Sequence, residues 1–484
     1  MKRNQDLYDV VIVGSGAGGI GAAYALLNSG LRILLVDQNS ILGGTHVNAW
    51  VNVMATTPPA PFERGIFEDL EKKGYAMYLD PDYNEFSPQE LRNITFEDTY
   101  MEQRFLKKGR EVSVCYDVEE LAKKYAADLQ SKIEILLNTK LISVSKDGNK
   151  VRSVVLRGLN AREIEIPASL FIDSTGDGLL CRLAGTAYYL GEDSKTTYDD
   201  YCFIEPSAPI VPEKNVNVPT LMYKIEKGTE NLSHIEAKFS FDSLIYNNPG
   251  GAFSLVNTVF YLEEPGISVL EKGVEAVYSE MIPRTLQHWK KAKNVANIHP
   301  RYKNYNLDEK CYAGVAPMLG IRETYRIKCR RMLNELALSK LVTPSNIMSL
   351  SDPLDSIIAI GNHTVDIHGK SNINQANIER VPYGVPYGCI IPLGLDNVFV
   401  ACRASGFTHI AAASFRLTRN IMQIGYAAGK ACQYMFDVEE CNLTDQVDVN
   451  MLQKKQYMDF QIQTSMVYEM IDDKYRSCPV KVDK

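Results

Sequence analysis

The segment Gly14-Ser15-Gly16-Ala17-Gly18-Gly19 has G-x-G-x-x-G spacing, and glycine at those positions has a chemical use. The first permits a tight turn, the second lets the backbone approach a pyrophosphate, and the third lets helix and strand pack closely. Phosphates would sit at a helix N-terminus, where N–H groups without helical partners and the helix dipole favour negative charge. Asp37, 18 residues after Gly19 and followed by Gln38, is placed to accept hydrogen bonds from a ribose diol. A glycine-rich loop serving packing alone is the competing reading.

Acid–base chemistry has its own candidates. In Thr364-Val365-Asp366-Ile367-His368, an extended backbone puts Asp366 and His368 on one face, with Val365 and Ile367 on the other. A carboxylate beside an imidazole holds the ring's tautomer and raises its basicity, as proton transfer requires. A polar strand face with a satisfied histidine explains the pattern equally well. His409 is the alternative acid–base residue. Arg322 and Arg326 lie one helical turn apart if their segment is helical, and then either form surface ion pairs or clamp a carboxylate or phosphate. Weaker signals are Gly43-Gly44-Thr45, where a glycine pair lets the backbone pass close to a ligand, and Thr175-Gly176-Asp177, which follows an apolar run. Each is also compatible with an ordinary turn, and His46 reads as a structural histidine.

These residues need elements to hold them. Residues 11–37 read as a strand, the glycine turn, a helix over about 18–28 and a second strand ending in the acid. Leu121, Tyr125 and Leu129 predict an amphipathic helix over 118–131. Strands at 133–137, 141–144 and 151–156 follow, with Asp147-Gly148 as a hairpin turn. A strand at 162–166 leads into the apolar run 170–173, which fits a parallel strand whose carboxyl end reaches a cleft. From about 188 to 375 the texture changes. Strands at 219–225 and 253–261 are expected there, with helices at 269–291, broken or kinked by Pro283, and at 321–337. Pro58, Pro59 and Pro61 stiffen an earlier loop. The last block predicts a strand at 397–401, a loop to 409 and a long helix at 411–434. That helix has its N-terminus near Ser414 facing an electron-rich group, and Gly425, Ala428 and Gly429 for close contact with the sheet. A helical tail is expected over 445–475. The expected fold class is α/β: a Rossmann-like nucleotide-binding domain over 1–187 and 376–436, an inserted α+β substrate or cap domain at 188–375, and a tail at 437–484.

Composition narrows the function. A chain of 484 residues is too long for one ordinary core, and 45% hydrophobic with 23% charged residues suits a soluble globular protein. A net charge of −7 without a long basic run argues against a nucleic-acid partner. No run of 18 apolar residues predicts a membrane span, and the first apolar run is too short for a signal sequence, so the cytoplasm is expected. The ten cysteines form no C-x-x-C, so no iron–sulfur cluster, zinc site or redox pair is signalled and no metal is expected. Most cysteines read as small buried apolar side chains.

Taken together, the motifs resemble the FAD-dependent oxidoreductases of the glutathione-reductase-type fold, in the branch containing the flavoprotein component of heterodisulfide reductase. The chain is more distantly similar to fumarate reductase and succinate dehydrogenase flavoproteins. GSGAGGIGAA with Asp37, LGGT at 42–45, FIDSTGDG at 171–178, GIRETYR at 320–326, TVDIHG at 364–369 and the block at 391–431 carry the resemblance over nearly the whole chain. It implies FAD, with Gly14, Gly16 and Gly19 on the pyrophosphate and Ser15, Ala17 and Gly18 completing the loop. It also implies Asp37 and Gln38 at the ribose, and Gly43, Gly44 and Thr45 towards the flavin. Thr175 and Gly176 would line the cleft, with Arg403 and the helix near Ser414 closing the flavin end. The family's cluster-binding cysteines are missing, Cys402 and Tyr325 depart from its usual residues, and no second glycine fingerprint supports a separate NAD(P)H domain. The implied activity is hydride transfer between a small polar metabolite and flavin N5, with His368, Asp366, His409 and Arg322 as candidate catalytic residues. The alternatives are an electron-transfer protein whose substrate site lies on a redox partner protein, and a non-redox use of the bound nucleotide. Substrate, electron acceptor and oligomeric state are left open.

Overall fold

A computed structural model describes residues 1, 7–54, 60–79, 113–194, 206–236, 244–247, 253–260, 265–296, 307–339, 353–369, 371, 373 and 383–455. It is a mixed α/β structure with a parallel-sheet, Rossmann-like core. Strand β1 (Tyr8–Val13) is buried along its whole length and pairs in parallel with β2 (Ile33–Val36) and with Glu163–Asp173. Glu134–Leu136 extends the sheet beyond β2, and Val398–Val400 extends it beyond Glu163–Asp173, both in parallel. Strands covered on both faces read as unbroken apolar runs rather than alternating ones, as VVIV and ILLV do. The registers Val13↔Val36, Val13↔Asp173, Val400↔Asp173 and Val36↔Leu136 bring five carboxyl ends to one edge. In an open α/β sheet, that edge is where ligands bind.

The 11-residue strand Glu163–Asp173 serves two ladders. Its buried second half pairs with β1, while its alternating first half pairs antiparallel with Lys150–Arg157. The run expected as two strands is therefore one. Lys150–Arg157 returns to Lys140–Asp147 through Gly148-Asn149, with Gly148 at φ +58°, the left-handed conformation a tight hairpin asks for.

Helix α1 (Ala17–Leu26) leaves the glycine turn and packs on the helix Thr418–Asp437. A Cβ at Gly425 would lie 2.0 Å from the Gly18 carbonyl oxygen, so the small residues expected to admit a sheet admit a second helix instead. Within 188–375, an antiparallel sheet runs Leu244–Asn247, Phe253–Phe260, Thr220–Lys227, Lys310–Val315. The helix Val274–Ala296 covers it, and fully buried Tyr223 and Trp289 join the two.

Several local expectations are corrected. Residues 321–337 are not a helix: they contain the strand Tyr325–Ile327 and the short helix Glu335–Leu338, because Tyr188–Leu190 supplies a strand partner. Pro283 does not break its helix. It lies on the exposed side, where the Ser279 carbonyl it deprives of a partner can take water, and the break falls earlier at Gly273, φ +90°. Residues 364–368 are irregular and have no strand partner among the described residues. The long helix at 411–434 is two, His409–Phe415 capped by the Thr408 hydroxyl and Thr418–Asp437, divided at Arg416-Leu417. Ser414 therefore lies in the last turn of a helix, not at an N-terminus. The tail shows a 3-10 turn at Thr444–Gln446 and the helix Val449–Lys455; residues 456–475 lie outside the described residues, as do Pro58, Pro59, Cys202 and Cys478. Of the described cysteines all but half-buried Cys311 are buried. No described helix is long and apolar enough to cross a membrane.

Candidate functional site

The glycine turn sits at the carboxyl edge of the sheet, and its shape comes from backbone contact. Gly14 has φ +99°, and a Cβ there would lie 2.2 Å from the Ser174 carbonyl oxygen. A Cβ at Gly19 would lie 1.9 Å from the Gly14 carbonyl oxygen, the close helix–strand approach its position demands. At Gly16 the nearest atom is 3.8 Å away, so its open side faces a cleft. Gly16 is also the N-cap of α1, where no side chain caps the helix and no acid stands in the first turn. Its N-terminal dipole is left for a ligand.

The cleft has a volume of about 540 Å³ and is bordered by Gly14, Gly16, Asp37, Gln38, Thr175 and Arg403. A second cavity of about 160 Å³ shares Gly16, Thr45, Gly176 and Arg403 as walls, then continues to Arg322, Arg416 and Thr418. The glycine cradle that any Cβ would fill, the uncapped helix N-terminus and this two-part cavity fit an extended dinucleotide.

Asp37 does more than await a ribose. Its Oδ2 accepts from the Ser15 N–H and hydroxyl, each at 2.6 Å, and its Oδ1 from the Asn39 N–H at 2.7 Å and Nδ2 at 2.9 Å. About four lone-pair positions are available on a carboxylate, and all four are taken. Gly43 and Gly44 brace the loop from behind: the Gly43 N–H donates to the Ser15 carbonyl at 3.1 Å, and a Cβ at Gly44 would lie 2.7 Å from Gly16 Cα. Thr45 borders both cavities. His46 is buried, with Nε2 3.2 Å from the Tyr125 hydroxyl, and burial pushes its pKa down to about 3, so it is a neutral structural residue.

The Thr175–Gly176 turn is pinned by buried Asp173, which accepts from the Thr175 N–H and hydroxyl and from the Cys181 N–H. Gly176 lies against Arg403: a Cβ there would meet the guanidinium at 2.5 Å. Asp177 holds that guanidinium and also accepts from the Thr324 hydroxyl at 2.6 Å.

Asp366 and His368 meet although their segment is not a strand. His368 Nε2 is 2.7 Å from Asp366 Oδ2, and Arg416 Nη2 donates to the same oxygen and to the Asp366 carbonyl, each at 3.0 Å. Burial opposes ionisation of Asp366, but the bond to His368 and the charges of Arg416 and Arg322 hold its carboxyl well below the usual range. His368 is pushed below the ordinary imidazole value by burial, with Arg322 and Arg416 adding to the effect and Asp366 opposing it. The pair stands behind Arg416 and is not in the cavity wall itself. Arg322 is in that wall, donating from Nη1 to the Val218 carbonyl and the Thr220 hydroxyl at 3.2 Å. Burial and the like charge of Arg416 push it down to about 9, so it stays charged at neutral pH.

The remaining candidates lie elsewhere. His409 is buried with Nδ1 2.9 Å from the Glu323 carboxylate, beside Arg326, which makes a two-oxygen pair with Asp193 at 2.8 and 3.0 Å. Burial alone would depress His409; Glu323 more than reverses this and raises it above the ordinary value. Ser414 is fully buried, donates to the His363 carbonyl at 2.6 Å and bonds the Tyr383 hydroxyl at 2.5 Å. Neither borders the two cavities described. Residues that sequence reasoning missed are Arg416 and Thr418, in the cavity wall at the unforeseen helix break, and Thr220, which positions Arg322; Asp177, noted only as part of the Thr175-Gly176-Asp177 turn, holds Arg403. Arginine and leucine are good helix formers, so the local sequence carried no signal for the break.

Comparison with known proteins now adds to the geometry. A family model described as FAD dependent oxidoreductase matches residues 9–456. Over 87 residues (18% of this chain) the sequence is 33% identical to the NADH:fumarate oxidoreductase of Klebsiella pneumoniae strain 342. Over 66 residues (13%) it is 39% identical to the thiamine thiazole synthase of Aeropyrum pernix. The matches span 9% and 23% of those two proteins' own lengths. Among solved structures, a geranylgeranyl bacteriochlorophyll reductase-like protein from Thermoplasma acidophilum superposes with TM-score 0.44 at 12% identity, covering 97% of this chain and 96% of that one. Glycine oxidase from Bacillus cereus superposes with TM-score 0.38 at 12% identity, covering 90% and 96%.

Proposed function

Because the chain belongs to the FAD-dependent oxidoreductase family, we propose that it moves a hydride between a small polar metabolite and flavin N5, with the metabolite in the arginine-walled cavity. The observation that carries this reading is the sharing of walls: the glycine-built cleft and the cavity meet at Gly16, Thr45, Gly176 and Arg403. Bound FAD supplies a two-electron acceptor, and the protein supplies position, a proton acceptor and charge. In this reading the loop Gly14, Ser15, Gly16, Ala17, Gly18 and Gly19 takes the pyrophosphate at the α1 N-terminus. Asp37 and Gln38 border the ribose end, where a diol hydroxyl replaces Asn39 Nδ2 on the Asp37 carboxylate. Gly43 and Gly44 support the loop, and Thr45, Thr175, Gly176 and Arg403 line the path between the two ends.

Neither His368 nor His409 borders the cavity. His368 has the closer link to it, through Asp366 and the wall residue Arg416, and is the better candidate proton acceptor. Its Nε2–H donates to Asp366, which leaves Nδ1 as the basic nitrogen, and its lowered pKa keeps it neutral at neutral pH. His409 is held in a buried ion network. The same motifs support the glutathione-reductase-type branch, and the division at 188–375 makes the antiparallel sheet a cap over the cleft.

The test is anaerobic bleaching of the yellow, FAD-loaded chain by a panel of small hydroxy, amino and saturated compounds. Bleaching by one member supports the reading. A loaded chain that no compound reduces, while a partner protein does, would replace it with the electron-transfer alternative.

A further inference from the structure

The Asp366–His368 pair lies on irregular backbone, and a different segment of the chain holds that backbone in place. The His368 N–H donates to Asn217 Oδ1 at 2.9 Å, and the Val218 N–H donates to the His368 carbonyl at 3.1 Å. Gly369 follows at φ +106°, so close that a Cβ there would lie 2.7 Å from Val218 Cγ1. The same short segment reaches the cavity wall, because the Val218 carbonyl and the Thr220 hydroxyl accept from Arg322. Residues 217–220 therefore touch both the proposed proton acceptor and the wall.

Asn217 is 1% exposed, and a buried charge fixes which way its amide points. Its N–H and Nδ2 both donate to Glu323 Oε2, at 3.0 and 2.8 Å. Burial opposes ionisation of Glu323, but His409, Arg326 and the Asn217 N–H hold its carboxyl below the usual range. An ionised carboxylate accepts and cannot donate, so it must face the NH2 end of the amide. That turns Oδ1 toward the His368 N–H. The backbone beneath Asn217 is constrained as well. Asn215 Oδ1 accepts from the Val216 and Gly266 N–H groups at 3.0 and 2.7 Å, and a Cβ at Gly266 would lie 1.8 Å from the Val216 carbonyl oxygen.

Resting on the flavoenzyme reading above, we propose that Asn217 is a positioning residue for the acid–base step, joining the His368 backbone to Glu323 and so keeping the imidazole on Asp366. Asn217 borders neither cavity and acts only through His368. Arg416 holds the other member of the pair, donating to the Asp366 carbonyl and carboxylate at 3.0 Å each. With both ends tied, His368 Nε2 stays on Asp366 and the direction of Nδ1 is set. Without the Asn217 amide, the turn keeps its Arg416 end and loses its anchor to Glu323.

The experiment follows the His368 imidazole by NMR, in FAD-loaded protein carrying isotope-labelled histidine and titrated with acid. Its resonance among the seven histidines is the one missing from His368→Gln. In the wild type, burial sets its pKa below 6.5, with Asp366 opposing and Arg322 and Arg416 adding to the effect. Asn217→Ala admits water to the turn, so the midpoint should rise toward 6.5 by about half a pH unit or more. Asn217→Leu keeps the volume, removes the amide and should shift it the same way. Asn397→Ala is the control: it removes another buried amide, which bonds Val151 and Ser169, and should lower the thermal midpoint without moving His368. An unmoved His368 midpoint in the folded Asn217 variants would overturn the proposal, as would an equal rise in Asn397→Ala. With any compound that bleaches the wild type, Asn217→Ala should bleach about tenfold or more slowly at saturation, with half-saturation unchanged. An unchanged rate would also overturn it. The NMR titration needs no substrate, so its failure is distinct from failure of the hydride-transfer reading.

Discussion

Arg322 and Arg326 stand either side of the Glu323–Tyr325 segment, and their surroundings differ in what governs a buried charge. Arg326 is fully buried, pairs with both oxygens of Asp193 and sits 3.3 Å from Glu323, which His409 also bonds. Cations and anions there are matched in number and in contact. Arg322, on the cavity wall, donates to the neutral Val218 carbonyl and Thr220 hydroxyl and feels both the like charge of Arg416 and the opposite charge of Asp366. The first arrangement spends its charge on the fold. The second places its charge at the cavity wall. Matched buried pairs give little net stability over an apolar equivalent, but breaking one strands its partners.

The largest expected effect breaks the matched side. Arg326→Leu leaves buried Asp193 without its guanidinium partner and Glu323 with His409 alone, and should cost about 3–5 kcal/mol of stability in denaturant titration. Arg322→Leu should cost less than about 1 kcal/mol in the same assay, because a charge is removed from a repelling pair. Equal losses would erase the distinction between the two regions.

Turnover should show the reverse pattern. His368→Ala should lower kcat by about 10²-fold or more, the lower end of what a positioned proton acceptor contributes, with FAD still bound. A variant with full turnover would remove His368 from the chemistry.

The two histidines should also titrate in opposite senses. His368 acts as neutral base, so kcat should fall as pH drops through its pKa, which lies below 6.5. Removing Arg322, which lowers that pKa, should move this acid limb to higher pH; Asp366→Asn should move it lower. His409 is raised above 6.5 in the folded state, so its contribution to stability is fully present below pH 6.5 and is lost as pH rises through the folded value. The stability gap between wild type and His409→Gln should shrink accordingly in thermal melts run across that range.

The smallest effect separates support from contact. Ser414→Ala removes two buried hydrogen bonds and should cost about 1 kcal/mol while leaving flavin absorbance unchanged. A changed flavin spectrum would return Ser414 to the cofactor.

Much of the frame was legible in the residues. The runs before Gly14 and Asp37 are apolar throughout because both faces are covered, and the glycines stand where backbone meets backbone. The misreadings share a cause. The segments 321–337 and 364–368 have periodicity that helix or strand could use, and the choice rested on a distant partner: Tyr188–Leu190 recruits Tyr325–Ile327, and no described strand pairs with 364–368. The break at Arg416-Leu417 was hidden because arginine, leucine and the alanines at 411–413 all favour helix.

Local sequence determined the glycine turn, the strands of the parallel sheet, the helix α1 and the meeting of Asp366 with His368, since each depends on neighbours a few positions away. Tertiary structure decided which arginine is paired in the core and which borders the cavity, that Asp37 is already filled by Ser15 and Asn39, and that a helix N-terminus opens at Thr418 rather than near Ser414. Those outcomes depend on charges and backbone brought together across as many as 216 residues, as between Asp193 and His409. Electrostatic balance is set by distance in space, and no spacing along the chain encodes it.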